Sequence, residues 1–335
     1  MDWAQKNLLT DVAGLTVGNA QDDKIKSGVT AILCDEPAVA AVQVLGGAPG
    51  TRETDLLEPH NMVEAVDAIT LAGGSAFGLD AASGVQAWLR EQGRGFPLGP
   101  HRIPIVPAAI LFDLVNGGDK DWGRYSPYRD LGFEAAAAAS ENFDLGTAGA
   151  GTGSSTAAFK GGLGSASDIT SAGITVGALV AVNAVGSVSV GDTPDFWSAP
   201  FEKNGEFGGL GLPHPMPENA GALKIKYREM MKSGANTTIA VIATDAVLDK
   251  AGAKRLAIAA HDGFSRAIWP AHTPFDGDLV FALATGRTGI KPAPHDLLDL
   301  CGIAGATMAR AIARGVYEAE ASDNDAFPAW KSVTS

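Results

Sequence analysis

Apolar runs without polar alternation constrain this chain more than any other feature of its sequence. They occur at residues 27–34, 39–45, 173–190, 237–244 and 279–284. Strands of this kind have two apolar faces and must be covered on both sides. The helices predicted at residues 77–91, 128–141, 248–268 and 296–319 are apolar on one face only, as outer layers are. We therefore predict a mixed α/β (α+β) fold in which two sheets pack between helices.

Other segments give weaker signals. Residues 60–68 predict a short helix, residues 191–221 predict an irregular excursion rich in proline and glycine, and the residues from 322 onward predict a polar tail. No glycine fingerprint follows the first strand, which excludes a doubly wound nucleotide-binding fold. The 335 residues suffice for one large domain, and we expect a single domain over residues 1–335.

Charge and composition narrow the partners and the compartment. The formal charge of −13 disfavours nucleic acid and offers no basic stripe for anionic lipid. Residues 1–7 lack an export signal, and no uncharged apolar run reaches the roughly 18–20 residues of a membrane span. Cys34 and Cys301 lie in apolar settings without metal-like spacing. We expect a cytoplasmic protein that contacts neither membrane nor nucleic acid.

A small polar turn leads into the strand predicted at residues 237–244 and places a hydroxyl at its first position. Residues 233–238 read Ser-Gly-Ala-Asn-Thr-Thr. A threonine hydroxyl needs a base to become a nucleophile. If Thr237 attacks the carbonyl of Asn236, the peptide becomes an ester and the α-amine of Thr237, with a pKa of about 8, is freed; water then cleaves the ester and leaves a new N-terminus. This amine can serve as that base, so we interpret Thr237 as an N-terminal nucleophile made by self-cleavage after Asn236.

Four further polar residues are candidates for the same chemistry. Lys160 is a lone cation in a segment of small residues, Asn183 interrupts an apolar run, and Asp276 and Asp278 flank a glycine. The lysine and the amide can donate to an oxyanion, and a carboxylate can orient the amine and the hydroxyl. Each also has an ordinary alternative: a solvated lysine, a turn asparagine and a surface Asp-Gly-Asp turn.

The glycines ahead of the helix predicted at residues 77–91 have two interpretations. Gly73, Gly74 and Ser75 form a short turn that would let a substrate or an anion approach the backbone. The same glycines would equally allow a close joint between a strand and a helix. The sequence leaves both alternatives open.

Three motifs in this order carry a resemblance to a known family. They read Leu-Ala-Gly-Gly-Ser-Ala-Phe-Gly-Leu at residues 71–79, Asn-Thr-Thr-Ile at 236–239 and His-Thr-Pro-Phe-Asp-Gly-Asp at 272–278. Together they resemble the L-aminopeptidase/D-esterase family, which includes β-aminopeptidases and 6-aminohexanoate-oligomer (nylon-oligomer) hydrolases, and the likeness runs over about residues 8–319.

The resemblance implies a fold, an assembly and a set of site residues. The fold is a four-layer αββα sandwich of the N-terminal-nucleophile-like kind also seen in ornithine acetyltransferase. Self-cleavage would give chains 1–236 and 237–335 that stay together in a tetramer-like homo-oligomer. Phe112 stands where several members have a tyrosine, so one hydroxyl donor of those members is missing here. The family's nucleophile, acidic pair, lysine and oxyanion asparagine fall on Thr237, Asp276, Asp278, Lys160 and Asn183.

These observations predict an amide hydrolase that needs no metal or organic cofactor. Its substrates would be short peptides or peptide-like amides, 6-aminohexanoate oligomers among them, with Gly73, Gly74, Ser75 and Phe112 as candidate substrate-binding residues. One alternative is an acyltransferase on the same sandwich, in which an amine instead of water accepts the acyl group. Another is a non-catalytic binding protein that retained the fold.

Overall fold

The computed structural model describes residues 6–226 and 236–334. The five helices of these residues are α1 Ala81–Glu91, α2 Tyr128–Ala137, α3 Lys250–Ala267, α4 Pro294–Tyr317 and α5 Trp330–Thr334. Their eleven strands are β1 Leu15–Asp22, β2 Ser27–Val44, β3 Thr51–Arg52, β4 Ala65–Ala72, β5 Phe96–Leu98, β6 His101–Ile103, β7 Ala108–Ile110, β8 Gly162–Ile169, β9 Thr175–Val182, β10 Ile239–Thr244 and β11 Leu279–Ala284.

Strand β2 links the two halves of the sheet. The strand order is β3-β7-β4-β2-β11-β10-β9-β8, and β1 also pairs with β2. The first part of β2 pairs with β1 and β4, its register shifts between Leu33 and Ala38, and its second part pairs with β11. A bulge bends a strand and increases its twist. The two strands predicted at residues 27–34 and 39–45 are therefore one strand of 18 residues, and the two expected sheets are hydrogen-bonded into one.

The sandwich of four layers is confirmed by the way the core divides. One cluster lies between the two halves of the folded sheet, a second lies beneath α3 and α4, and a third lies beneath α1 and α2. Strand β10 shows the alternation: Ile239 and Val241 face the central cluster, whereas Ala240 and Ile242 face the helices. Successive side chains of a strand point to opposite faces, which explains why these runs are apolar throughout.

Two predicted segments are wrong. The helix expected at residues 60–68 is replaced by β4, which begins at Ala65 and pairs with β2 and β7. Burial on both faces of β4 decides this, because a short apolar run fits a helix or a strand equally well. The expected polar tail ends in α5, whose Trp330 is buried and stacks on Phe196 with ring centroids 5.5 Å apart.

Helices α1 and α2 contact each other through glycine. A β-carbon on Gly84 would overlap the carbonyl oxygen of Arg129, and one on Gly132 would overlap that of Ala81. We expect Gly84→Ala to lower the free energy of unfolding by about 2 kcal/mol or more, because neither backbone can yield. Denaturant unfolding measures this, with Gly302→Ala in α4 as control, since a β-carbon there meets open space. Equal stability of the two variants would contradict this packing.

The described residues contain neither a membrane-spanning helix nor a metal-binding cluster. Among residues 6–226 and 236–334, no helix is both long and apolar enough to traverse a bilayer. In the same residues no group of three or more histidine, cysteine or acidic side chains is arranged to hold a metal ion. Cys34 is buried and Cys301 partly exposed, and both are free thiols.

Candidate active site

The pairing of β10 with its neighbours decides what surrounds Thr237. Ile239 lies opposite Ala181 of antiparallel β9 and opposite Leu279 of parallel β11. Two residues earlier, the same registers bring Thr237 beside Asn183 and Gly277. Thr237 N donates to Asn183 O at 3.1 Å. The segments that contain Asn183, Thr237 and the Asp-Gly-Asp turn therefore meet at one end of these strands.

The Asn236–Thr237 bond, which the sequence predicts to be cleaved, has main-chain hydrogen bonds on both sides. Asn236 N donates to Phe275 O at 3.0 Å, and Gly277 N donates to Asn236 O at 2.8 Å. Both Asn236 and Thr237 are buried, at 2% and 1% exposure. The carbonyl that Thr237 would attack thus already accepts a main-chain N–H, the kind of donor that stabilises an oxyanion.

The acidic pair is buried at this site. Asp276 Oδ1 accepts from Val185 N at 3.2 Å, and its Oδ2 accepts from Thr273 N at 2.9 Å. Asp278 Oδ1 accepts from Thr238 N at 2.9 Å. Burial, and next the neighbouring Asp278, raise the pKa of Asp276 to about 6. A carboxyl with such a pKa exchanges a proton close to neutral pH, as general acids and bases do.

Two histidines that sequence reasoning did not select stand behind Asp278. Its Oδ2 lies 2.9 Å from His272 Nδ1, His272 Nε2 lies 3.3 Å from His261 Nδ1, and His261 Nε2 lies 2.9 Å from the oxygen of Gln43. Burial lowers the pKa of His261 to about 4, so this ring is neutral at pH 7. A carbonyl only accepts, so His261 Nε2 carries the hydrogen in its contact with Gln43. The chain of contacts fixes the orientation of the Asp278 carboxylate.

Asn183 is hydrogen-bonded through both ends of its amide. Its Oδ1 accepts from Ser155 N at 3.0 Å and from Lys226 Nζ at 2.8 Å, and its Nδ2 donates to Phe112 O at 2.7 Å. Asn183 is therefore a buried residue directly after β9 and not a turn residue. Phe112 reaches the site through its main-chain oxygen.

The two lysines near Asn183 differ in their partners. Lys160, the lysine selected from sequence, is buried and pairs with Asp325 Oδ2 at 2.9 Å. Lys226 contacts the Asn183 side chain. The catalytic role of Lys160 stays a prediction. Lys226 went unnoticed because residues 191–226 show no periodicity that would mark a buried position.

The glycines before α1 form a close joint. Gly74 N donates to Asp113 Oδ1 at 2.7 Å, and Asp113 Oδ2 accepts from Ser27 Oγ at 2.6 Å. A β-carbon on Gly74, whose φ is +83°, would overlap the ring of Tyr128. Of the two sequence alternatives, the joint is the one these contacts support. Substrate binding by Gly73, Gly74 and Ser75 stays a prediction.

Gly277 provides the space in which Thr237 sits. A β-carbon on Gly277 would lie 2.7 Å from Thr237 Oγ and 2.8 Å from the oxygen of Ala48. We expect Gly277→Ala to displace the hydroxyl and to slow self-cleavage by roughly a hundredfold, the effect of a displacement near 1 Å on a positioned reaction. Gel analysis of the freshly synthesised chain measures the rate, with Gly302→Ala as the matched control. Cleavage of Gly277→Ala at the wild-type rate would contradict this arrangement.

The family model for peptidase family S58 matches residues 7–326, and the chain belongs to this family. An uncharacterized aminopeptidase of Mycobacterium bovis is 45% identical over 334 residues, covering 94% of each protein. A 6-aminohexanoate-oligomer endohydrolase of Kocuria sp. is 27% identical over 299 residues, covering 87% of this chain and 78% of the relative.

Solved structures agree on the fold. The β-aminopeptidase of a Burkholderia species superimposes with a TM-score of 0.68 at 22% identity, covering 97% of this chain and 91% of that one. The L-aminopeptidase D-Ala-esterase/amidase of Ochrobactrum anthropi, described as a variant of the Ntn-hydrolase fold, gives 0.68 at 22% identity and covers 95% and 89%. The resemblance inferred from the three motifs is confirmed, as is the fold that it implied.

Proposed function

We propose that this protein is an N-terminal threonine amidohydrolase that activates itself by cutting the Asn236–Thr237 bond. The observation that carries the proposal is the position of Thr237, which is held through its own N–H by Asn183 O while Gly277 N donates to the carbonyl of Asn236. Attack of Thr237 Oγ on that carbonyl breaks the C–N bond and leaves Asn236 as an ester. The amine of Thr237 is freed in this same step, and water then hydrolyses the ester, which restores the Thr237 hydroxyl and leaves a carboxylate on Asn236.

In the mature enzyme the freed amine takes the proton from Thr237 Oγ. The hydroxyl attacks a substrate amide, the proton passes to the leaving amine, and water hydrolyses the acyl-threonine. Asp276 and Asp278 lie at the same strand ends and would stabilise the ammonium form between these steps. Asn183 would orient the amine, and Lys160 stays a candidate donor to the oxyanion.

The substrates proposed are short peptides with a free amino terminus and linear amide oligomers. Support comes from the relatives, which are named as aminopeptidases and 6-aminohexanoate-oligomer endohydrolases. We further propose that the two pieces remain together in a homo-oligomer in the cytoplasm and that the reaction needs no cofactor. The acyltransferase alternative shares every step up to the acyl-threonine and differs only in the acceptor.

Intact-mass analysis of the purified protein tests the proposal. The expected result is two pieces, the smaller one beginning at Thr237, together with release of p-nitroaniline from aminoacyl p-nitroanilides or of monomer from 6-aminohexanoate trimer. A single chain that stays whole and inert would overturn the proposal in favour of a binding protein. A product formed only when an acceptor amine is added would replace the hydrolase with an acyltransferase.

A further inference from the structure

One asparagine holds the chain on both sides of the proposed cut. Lys226 Nζ donates to Asn183 Oδ1 at 2.8 Å and lies 3.5 Å from Asn183 O. The same Asn183 O accepts from Thr237 N at 3.1 Å. Asn183 therefore contacts one residue that precedes the proposed cut, Lys226, and one that follows it, Thr237.

The Lys226 amine is part of the buried structure around the site. Lys226 is 2% exposed, its Nζ also donates to Ser155 O at 2.7 Å, and its main-chain N donates to Val185 O at 2.9 Å. Val185 N in turn donates to Asp276 Oδ1. Removing the amine would deprive Asn183 Oδ1 and Ser155 O of a buried donor, which is more damaging than removing an exposed one.

We propose that Lys226 is a positioning residue for self-cleavage: its amine fixes Asn183, and Asn183 fixes Thr237 beside the carbonyl of Asn236. This inference rests on the proposed function, since it assigns a role in the step that creates the nucleophile. It gives Lys226 a role separate from that of Lys160, whose ammonium pairs with Asp325. Lys226 acts through Asn183, so a change at Lys226 should affect the rate of cutting more than the stability of the fold.

The charge of this amine adds a second, testable feature. Burial lowers the pKa of Lys226 to about 7, while the carboxyl groups of Asp276 and Asp113 act in the opposite direction. Below this pKa the amine is an ammonium, and above it the amine is neutral and keeps N–H donors without the charge. An ammonium holds the Asn183 amide oxygen more strongly than a neutral amine does, because a hydrogen bond from a charged donor is stronger. Self-cleavage should therefore slow as the pH rises above about 7.

The test compares Lys226→Met with Lys224→Met in freshly synthesised full-length chain, with cleavage followed by gel from pH 6 to 9. Lys224 is the matched control because it is partly exposed and pairs with Asp192 at the surface. We expect Lys224→Met to cleave like the wild type. Lys226→Met should cleave at least roughly tenfold more slowly at pH 7, the effect of one lost hydrogen bond on a rate. Its rate should also lose the decline above pH 7.

Each other outcome has a defined meaning. A wild-type chain that never cuts overturns the proposed function and this inference with it. Wild-type cleavage together with an unchanged rate in Lys226→Met overturns this inference alone, and a decline above pH 7 that persists in that variant overturns the role of the charge. If thermal unfolding shows that Lys226→Met does not fold, Lys226→Gln decides. Its amide donates but does not titrate, so it should cut more slowly than wild type without the decline, and wild-type behaviour would overturn the inference.

Discussion

Thr237→Ala is expected to leave the chain in one piece and without amidase activity. Alanine lacks the Oγ that forms the ester, so cleavage should fall by at least roughly a thousandfold, as happens when a nucleophile is removed. The main-chain contacts of residue 237 need no side chain, so the fold should persist. Intact mass after long incubation measures the result. Thr237→Ser keeps the hydroxyl and should still cut.

The neighbouring threonine supplies a matched control. Thr238 is fully buried, and within the described residues its Oγ has no hydrogen-bond partner. Thr238→Val keeps the shape of the side chain and removes only this hydroxyl, so it should cut at nearly the wild-type rate. If Thr238→Val stays whole while Thr237→Ala still yields two pieces, the nucleophile has been assigned to the wrong residue.

The second large effect is expected at Asp276. Its pKa is raised to about 6, by burial first and then by Asp278, so the carboxylate predominates at pH 7 and the acid below about pH 6. If the carboxylate is the active form, the rate of self-cleavage should fall about tenfold for each pH unit below 6. Asp276→Asn cannot ionise and should cut at least roughly a hundredfold more slowly. Rates from pH 4.5 to 8 on freshly synthesised chain measure both effects.

Replacing Asp278 tests the direction of this pH dependence. Asp278→Asn removes a like charge that raises the pKa of Asp276. Whatever the rate of that variant, the pH at which its cleavage declines should move to a lower value. The exposed Asp262 provides the control, and Asp262→Asn should leave the profile unchanged. A decline that stays in place in Asp278→Asn would show that another group titrates.

The sequence indicated the residue types of the candidate site, but it could not indicate which of these residues contact each other. Thr237, Asp276 and Asp278 lie in short motifs, and polar residues at the ends of apolar strands often serve function. The register between β9 and β10 places Thr237 beside Asn183. Strands that are apolar on both faces carry no pattern that would select one register from the sequence. The burial of Lys226 depends on a partner 43 residues earlier in the chain.

The errors in the fold have physical causes as well. The pairing of β2 with β4 is interrupted between Leu33 and Ala38, yet the strand itself continues, whereas the polar residues Asp35 and Glu36 look like a turn in the sequence. Residues 65–72 are mostly apolar, and only pairing on both sides shows that they form a strand. His261 lies on the buried face of α3 beside Ala260 and Phe264, so the helical period of that face could have indicated its burial.

If the chain is cut after Asn236 as proposed, the place of β10 and β11 in the sheet decides how the two pieces behave. Both strands belong to the smaller piece, yet β10 is bonded to β9 and β11 to β2, which both belong to the larger piece. To separate, the pieces would have to expose two rows of backbone groups and divide the central hydrophobic cluster. Dilution alone should therefore not readily dissociate them, but because unfolding releases two molecules, the melting temperature should rise with protein concentration. One chain would become two molecules that still unfold as one.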